Sequence, residues 1–264
     1  MSRTNEATLD APFGVVGTPL QDWQASRALR RVPVVSIEEL IPPGTRLVVV
    51  APHPDDEILA CGGLLAAMAG RVADVHLMSV TDGDASHPGS QQWPVARLRA
   101  QRRVESECAM ARLGLDLARL SWQRLALPDA RVAEHEAALA QAISAQLHPG
   151  DYVLATWRHD GHGDHEAVGR AAAQAAQQQG ATLLEVPVWA WHWAHPEDPR
   201  LPWGQACKLL LSDDQLERKR DAIRAHTSQL HEDPSTGAPP VLDRSTLERL
   251  LQPFELVFAR VTPT

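Results

Sequence analysis

Two short segments of this 264-residue chain hold side chains that bind divalent metals and move protons. The first, APHPDDE at 51–57, places His53, Asp55 and Asp56 in one turn. Imidazole and carboxylate are usual ligands of catalytic zinc, which keeps one coordination position open. Because adjacent carboxylates in a turn project in different directions, one can ligate a metal while the other takes a proton from water. Taken alone, the segment is equally well interpreted as a turn whose carboxylates cap the following helix.

The second segment, residues 156–171, is denser in such groups. Five histidines and aspartates fall within seven positions: His159, Asp160, His162, Asp164 and His165. A solvated loop with Asp164 as a helix cap explains any one of them, but not the whole set. Gly161 and Gly163 permit a tight backbone that aims several side chains inward. The two segments together predict a metal site.

The elements that must position these residues alternate between strand and helix from residue 46 onward. Short links and this alternation predict an α/β fold, a Rossmann-like and mostly parallel sheet with helices on both faces. Ligands in such sheets bind outside the carboxyl ends of the strands, where both segments fall. The predicted strands cover 46–52, 74–81, 121–127, 151–157 and 181–191, and the predicted helices 58–70, 94–113, 132–147 and 165–179.

The two ends of the chain depart from this rhythm. A C-terminal elaboration is predicted to contain a strand at 206–212, an amphipathic helix at 213–227, a capping box at Ser245 to Glu248 and a closing strand at 254–261. No polar linker precedes it, so we expect one domain over 46–264. Residues 1–45, interrupted by prolines, are expected to form an N-terminal arm packed over that domain, with a short helix near 20–31.

Composition excludes several classes of partner. A net charge of −8 argues against a nucleic-acid or anionic-membrane surface. Three widely spaced cysteines without a CxxC motif give neither a disulfide framework nor a thiolate zinc cluster, which fits a reducing compartment. No signal peptide is visible, and the apolar stretches are far shorter than the ~18 residues of a membrane span. We therefore expect a cytoplasmic protein without a transmembrane segment; a homo-oligomer is left open.

The string APHPDDE with a later HGDH resembles the zinc-dependent N-deacetylases of the LmbE-like or PIG-L family, over about residues 46–230. The resemblance implies hydrolysis of an N-acyl group, expected to be acetyl, from a small amino-sugar conjugate such as an N-acetylglucosamine derivative. It also implies one zinc ion per chain, held by His53, Asp56 and His165, with Asp55 as general base. Two neutral imidazoles and one carboxylate leave such a site positive, which acidifies bound water toward a pKa of about 7.

The resemblance assigns further roles. His162 would stabilise the oxyanion in protonated form and then protonate the leaving amine, with Asp164 orienting it. Arg102 and Asp129 would bind substrate, although composition alone makes the first a solvated arginine and the second a turn residue. Asp84 follows the second predicted strand and is expected to shape the pocket rim. Where some members of the family carry a mobile tyrosine, this chain has Asp160.

Three alternating tryptophans, Trp189, Trp191 and Trp193, would share one face of the predicted strand at 181–191. A stacking platform for sugar rings and a core stripe explain them equally well.

Two other functions remain open at this stage. A metal-dependent phosphoesterase would need two metals per chain. A non-catalytic sugar- or nucleotide-binding α/β module would use its histidines and aspartates as caps, and would bind no stoichiometric metal.

Overall fold

A computed structural model describes residues 17–259 of the chain. An eight-stranded mixed sheet runs through them in the order β1-β7-β8-β6-β5-β2-β3-β4. Residues 1–16 of the predicted arm and 260–261 of the predicted closing strand lie outside the described residues. The strands are β1 Val34–Val35, β2 Leu47–Ala51, β3 Val75–Thr81, β4 Ser121–Leu127, β5 Tyr152–Thr156, β6 Thr182–Val186, β7 Ala206–Leu210 and β8 Phe254–Ala259.

The five strands β4, β3, β2, β5 and β6 are parallel, while β8 pairs antiparallel with both β6 and β7. The chain leaves β2 toward β3 and β4 on one side, and then returns to place β5 on the other side of β2. Between β2 and β5 the order therefore reverses, and at such a point the loops diverge and leave a crevice. The predicted α/β fold is confirmed, and both motif segments follow the two strands of this reversal.

Helices cover both faces of the sheet. Their bounds are α1 Leu20–Ala25, α2 Arg27–Arg31, α3 Ile37–Leu40, α4 Asp56–Ala67, α5 Val95–Arg112, α6 Glu136–Ser144, α7 Gly163–Gln179, α8 Ala190–Trp193, α9 Asp213–Ile223, α10 Thr227–Leu230 and α11 Arg244–Leu250. Short 3-10 turns lie at Ala69–Asp74, Val132–His135 and Trp203–Gln205. In the described part of the chain, every helix is too short or too polar to cross a membrane.

The continuous apolar run of β2 is explained by burial on both faces. Leu47 and Val49 face one hydrophobic cluster, which also holds residues of α4, α5 and α9. Val48 and Val50 face a second cluster, formed with α6 and α7. Alternate residues of one strand thus contribute to two cores, as expected for a parallel strand covered by helices on both sides.

Residues 17–45 pack against the C-terminal part of the chain. Trp23 of α1 is 2% exposed, and its indole Nε1 donates to the carbonyl of Trp191 at 3.1 Å. Thr18 donates its backbone N–H to the carbonyl of His192, and β1 extends the sheet beside β7. The predicted helix near 20–31 is two short helices, broken at Ser26, whose backbone is extended.

Several predicted elements differ from the structure. The helix predicted at 132–147 begins with a 3-10 turn and continues as α6, and the helix predicted at 213–227 ends at Ile223. The strand expected over 181–191 ends at Val186, and α8 begins at Ala190. Trp189, Trp191 and Trp193 therefore do not share a strand face, because β6 ends before Trp189 and the other two lie within α8. The N-cap of α11 is Asp243, not Ser245: its carboxylate accepts from the backbone N–H of Thr246 at 2.7 Å.

Candidate metal centre and active site

Three side chains from the two motif segments converge at the strand-order reversal. Ligand atoms of His53, Asp56 and His165 lie within 4.8 Å of one another. The Oδ2 atom of Asp56 is 3.1 Å from Nδ1 of His53 and 3.3 Å from Nε2 of His165. His53 and Asp56 follow β2, and His165 lies in the first turn of α7 after β5. The predicted convergence of residues about a hundred positions apart is present in the structure.

The turn after β2 is unusual at Asp55. This residue has φ 149°, a conformation that L-residues rarely adopt and that costs of order 1–3 kcal/mol. Its backbone N–H donates to the carboxylate of Glu57 at 3.2 Å, while the backbone N–H of His53 donates to Asp56. Two carboxylates of the motif thus hold the backbone of the turn. As a result the side chains of Asp55 and Asp56 separate, as the sequence predicted.

The far nitrogen of His53 faces two carboxylates. Its Nε2 atom lies 3.2 Å from Asp129 and 3.2 Å from Asp164. Asp164 is held in turn by the backbone N–H groups of Ala130 and Val132, at 2.8 and 3.0 Å. We expected Asp164 to orient His162, but its two oxygens are directed to His53 and to the 130–132 turn. That turn comes from another part of the chain, which is why the spacing within the HGDH motif did not reveal the contact.

The far nitrogen of His165 faces a different carboxylate. Nδ1 of His165 lies 2.7 Å from Oδ2 of Asp160, a residue that is completely buried. Asp160 was noticed in the sequence but received no role. Each of the two imidazoles thus presents one nitrogen to Asp56 and the other to a carboxylate that the backbone anchors, an arrangement common around metal-binding histidines.

The electrostatics of the cluster suit a cation. Burial lowers the pKa of His165, but the carboxylates of Asp56 and Asp160 outweigh it and raise that pKa to about 9. Likewise burial opposes protonation of His53, yet Asp129, Asp164 and Asp56 hold its pKa well above the usual range. Both imidazoles therefore attract protons into a pocket rich in negative charge. A divalent cation would neutralise the same negative charge, and imidazole and carboxylate are ligands that such cations accept. These residues could therefore hold a metal ion.

Asp55 stands next to this cluster without joining it. Burial raises the pKa of its carboxyl to about 6, against the opposing effect of the Arg102 guanidinium. Arg102 donates to Oδ2 of Asp55 at 2.8 Å, to the carbonyl of Pro54 at 2.7 Å and to that of Gly83 at 2.9 Å. Arg102 is only 3% exposed. We expected it to be solvated or to contact substrate, but both terminal nitrogens are engaged in holding the turn of Asp55.

His162 lies beside both candidate ligands. Its ring centroid is 5.0 Å from that of His53 and 4.6 Å from that of His165. Burial and these two neighbouring imidazoles lower the pKa of His162 to about 3, and its Nδ1 has no hydrogen-bond partner among the described residues. This lowered pKa favours the neutral ring, whereas the resemblance implies a protonated one. A neutral imidazole still donates one hydrogen bond, so the position remains suited to meeting a developing oxyanion.

The remaining predicted residues, Asp129 and Asp84, lie on the loops that follow β4 and β3. Asp129 accepts from the backbone N–H groups of Ala85 and Ala130, so it joins two loops besides facing His53. Asp84 pairs with Arg99, whose Nε donates to it at 3.1 Å. Sequence reasoning missed the place of Trp189, whose ring lies 6.2 Å from that of His162. No periodicity could reveal this contact, because α8 begins directly after that residue.

Comparisons with known proteins agree with this geometry. Residues 48–176 match the family model PIG-L, described as GlcNAc-PI de-N-acetylase. A 1D-myo-inositol 2-acetamido-2-deoxy-alpha-D-glucopyranoside deacetylase of Mycobacterium sp. (strain KMS) is 29% identical over 254 residues, covering 77% of this chain and 80% of the relative.

Solved structures share the fold at lower sequence identity. The deacetylase of the A40926 pseudoaglycone superposes with a TM-score of 0.61 and 22% identity, covering 81% of this chain and 96% of the other. The 4-carboxy-2-hydroxymuconate hydratase of Pseudomonas putida KT2440 superposes with a TM-score of 0.53 and 16% identity, covering 83% of this chain and 99% of the other. At such identity these structures establish the fold alone.

Proposed function

Residues 48–176 of the chain belong to the PIG-L family, and from that premise we propose that the protein is a zinc-dependent hydrolase that removes an N-acetyl group from an amino-sugar conjugate. One observation carries the proposal. A group of two imidazoles and one carboxylate, able to hold a metal, lies beside a buried carboxylate that does not take part in it. Hydrolysis of an amide requires both a Lewis acid and a base, and the two are adjacent here.

His53, Asp56 and His165 would hold the metal. When bound, a zinc ion supplies Lewis acidity, which acidifies water and withdraws electrons from the amide carbonyl. Both histidines are pre-oriented for this duty, because their far nitrogens are held by Asp164 and Asp160. Zinc is our choice because it favours this ligand set, and the same ligands also accept iron.

Asp55 would act as the general base. As water adds to the carbonyl carbon, the proton of that water passes to the carboxylate of Asp55. A base works best when its pKa lies near the operating pH, and burial moves Asp55 in that direction. The contact with Arg102 fixes one oxygen of the carboxylate in place. We assign Arg102 to holding this base and not to binding substrate.

His162 would serve the second half of the reaction. Charge develops on the carbonyl oxygen as water adds, and then the C–N bond breaks and the nitrogen needs a proton to leave as an amine. The His162 imidazole lies beside the metal-ligand group, and its Nδ1 has no hydrogen-bond partner within residues 17–259, so we assign it the hydrogen bond to the oxyanion. The amine would take up the proton that Asp55 accepted from water, so that no further proton donor is required.

The substrate class comes from the relatives. The mycobacterial relative is a deacetylase of an inositol-linked amino sugar, and the family is described by a de-N-acetylase of GlcNAc-PI. We therefore propose an N-acetylated glucosamine linked to another group as the substrate, at a site in the cytoplasm. Asp129 and Asp84 lie on the loops after β4 and β3 and are our candidates to contact sugar hydroxyls.

The test is a panel of N-acetylated glucosamine conjugates assayed for free amine with the zinc-loaded protein. Asp55→Asn should lower turnover by about 100- to 10,000-fold while the metal stays bound, since a general base contributes that factor. Asp213→Asn is the matched control, because Asp213 is an exposed residue at the start of α9. Full activity in Asp55→Asn would refute the assignment.

Metal content tests the same proposal against its competitors. One zinc per chain is expected. A second group that could hold a metal consists of His53, Asp129 and Asp164, and it shares His53 with the first group. A two-metal phosphoesterase would need such a second site. Two metals per chain, with phosphate release and no free amine, would favour that function. The fold alone does not decide between them, since a hydratase shares it.

A further inference from the structure

Asp160 is a buried aspartate beside the candidate metal centre. Its side chain is completely buried, and both oxygens accept hydrogen bonds. Oδ1 accepts from the backbone N–H groups of Val188 and Ala190, each at 3.0 Å. Oδ2 accepts from the backbone N–H of Trp189 at 2.7 Å and faces Nδ1 of His165 at 2.7 Å. One carboxylate therefore joins a candidate metal ligand to the segment that precedes and begins α8.

These contacts decide where the proton of His165 resides. Three partners of Asp160 are backbone N–H groups, which only donate, and an ionised carboxylate only accepts. The short contact to Nδ1 of His165 is then a hydrogen bond only if that nitrogen carries the proton. In the neutral ring Nε2 must be the lone-pair nitrogen, and Nε2 is the atom that faces Asp56 at 3.3 Å. The donor pattern around Asp160 thus selects the tautomer that a metal requires.

Hydrogen bonds of its own backbone also hold Asp160 in place. Its carbonyl accepts from the indole Nε1 of Trp193 at 2.6 Å, and its N–H donates to the carbonyl of Trp157 at 3.0 Å. Gly161 follows at φ 85°, and a Cβ at that position would lie 2.4 Å from the same indole nitrogen. Asp160 is therefore fixed from both sides of the chain as well as through its side chain.

We propose that Asp160 is a positioning residue for the metal centre, which holds His165 in the Nδ1–H tautomer and aligns it with the Val188 to Trp193 segment beside His162. The inference rests on the proposed function, because it presumes that His165 ligates a metal. Carboxylates in this position typically contribute 10- to 100-fold to metal affinity. A cap of α8 alone would require only the three backbone contacts, and would leave metal binding unaffected.

The test measures zinc affinity by competition with a fluorescent chelator, starting from metal-free protein. Asp160→Asn should bind zinc about 10- to 100-fold more weakly, because an amide cannot accept from all four donors. Asp243→Asn is the matched control: Asp243 also caps a short helix, by accepting from Thr246 and Ser245, but lies apart from the metal ligands. The control should bind zinc with the affinity of the wild type. An Asp160→Asn affinity equal to that of the wild type would overturn the inference.

A second measurement decides the matter if Asp160→Asn does not fold. Nitrogen NMR of the zinc-loaded wild type, labelled with 15N-histidine, should show His165 with a proton on Nδ1 and none on Nε2. A proton on Nε2 would overturn the inference. Wild-type protein that takes up no zinc would instead refute the proposed function, so the two failures are distinguishable.

Discussion

Replacing His226 with leucine should remove part of the protein's sensitivity to acid. His226 follows α9, is completely buried, and has no hydrogen-bond partner for either ring nitrogen within residues 17–259. Burial, together with the guanidinium groups of Arg102 and Arg112, lowers the pKa of the imidazole to about 3, while the more distant Asp56 opposes this shift. The folded protein thus keeps His226 neutral at a pH where the unfolded chain would protonate it.

The magnitude follows from the two pKa values. An exposed histidine in the unfolded chain titrates near 6.5, so between about pH 6.5 and pH 3 the unfolded state binds one more proton at this site. The stability that the lowered pKa represents is present above pH 6.5 and is lost as the pH falls. At pH 5 the loss amounts to about 2 kcal/mol, and at pH 7.5 it is below about 0.1 kcal/mol. His226→Leu removes this contribution because leucine does not titrate.

The assay is urea unfolding of the zinc-loaded wild type and of His226→Leu at pH 7.5 and pH 5. The free energy of unfolding of the wild type should fall by about 2 kcal/mol more than that of the variant. Other titrating groups are common to both proteins and cancel in the difference. His231→Leu is the control, because this histidine is exposed and should track the wild type. If His226→Leu loses as much stability as the wild type, the imidazole is not the buried neutral group described above.

Two further predictions concern the stability of the folded chain. Lys219→Met should lower the free energy of unfolding in urea by about 3–5 kcal/mol, because the ammonium pairs at 2.8 Å with the buried carboxylate of Glu255 and its loss leaves that charge uncompensated. Among the described residues Lys208 forms no ion pair, and its ammonium lies 5.5 Å from the centroid of the Phe254 ring, so Lys208→Met should cost under about 1 kcal/mol. Equal losses in the two variants would refute the importance of the buried pair. Gly161→Ala and Gly150→Ala both replace a glycine at φ 85°, at about 1–2 kcal/mol each in thermal or urea unfolding. Gly161→Ala also places a Cβ 2.4 Å from an indole nitrogen, which should lower the free energy of unfolding further, by about 1–3 kcal/mol. Open space surrounds a Cβ at Gly150. Similar stabilities for the two variants would show that the loop yields.

Local patterns carried much of the fold. The strand predicted at 121–127 is β4 with the same bounds. The helix predicted at 94–113 extends one residue beyond α5 at each end, and the helix predicted at 165–179 begins two residues after the start of α7 and ends with it. Strand periods, prolines and glycines are local signals, so sequence is enough to find them. The location of the site could also be predicted, because parallel strands bring their carboxyl ends to one edge of the sheet. The predicted division into an arm and a domain stays a prediction.

What the sequence could not decide was which atom faces which. Asp164 was expected to contact His162 but contacts His53, because the backbone N–H groups of a turn more than thirty residues earlier hold its carboxylate there. Arg102 contacts Asp55 and not solvent, because its guanidinium also donates to the carbonyl of Gly83 in a neighbouring loop. Asp160 gained its role from backbone donors after β6. Spacing determines which residues can meet at a sheet edge. The partner of each nitrogen and oxygen depends on backbone groups of distant loops, and those have no signature in the residue types.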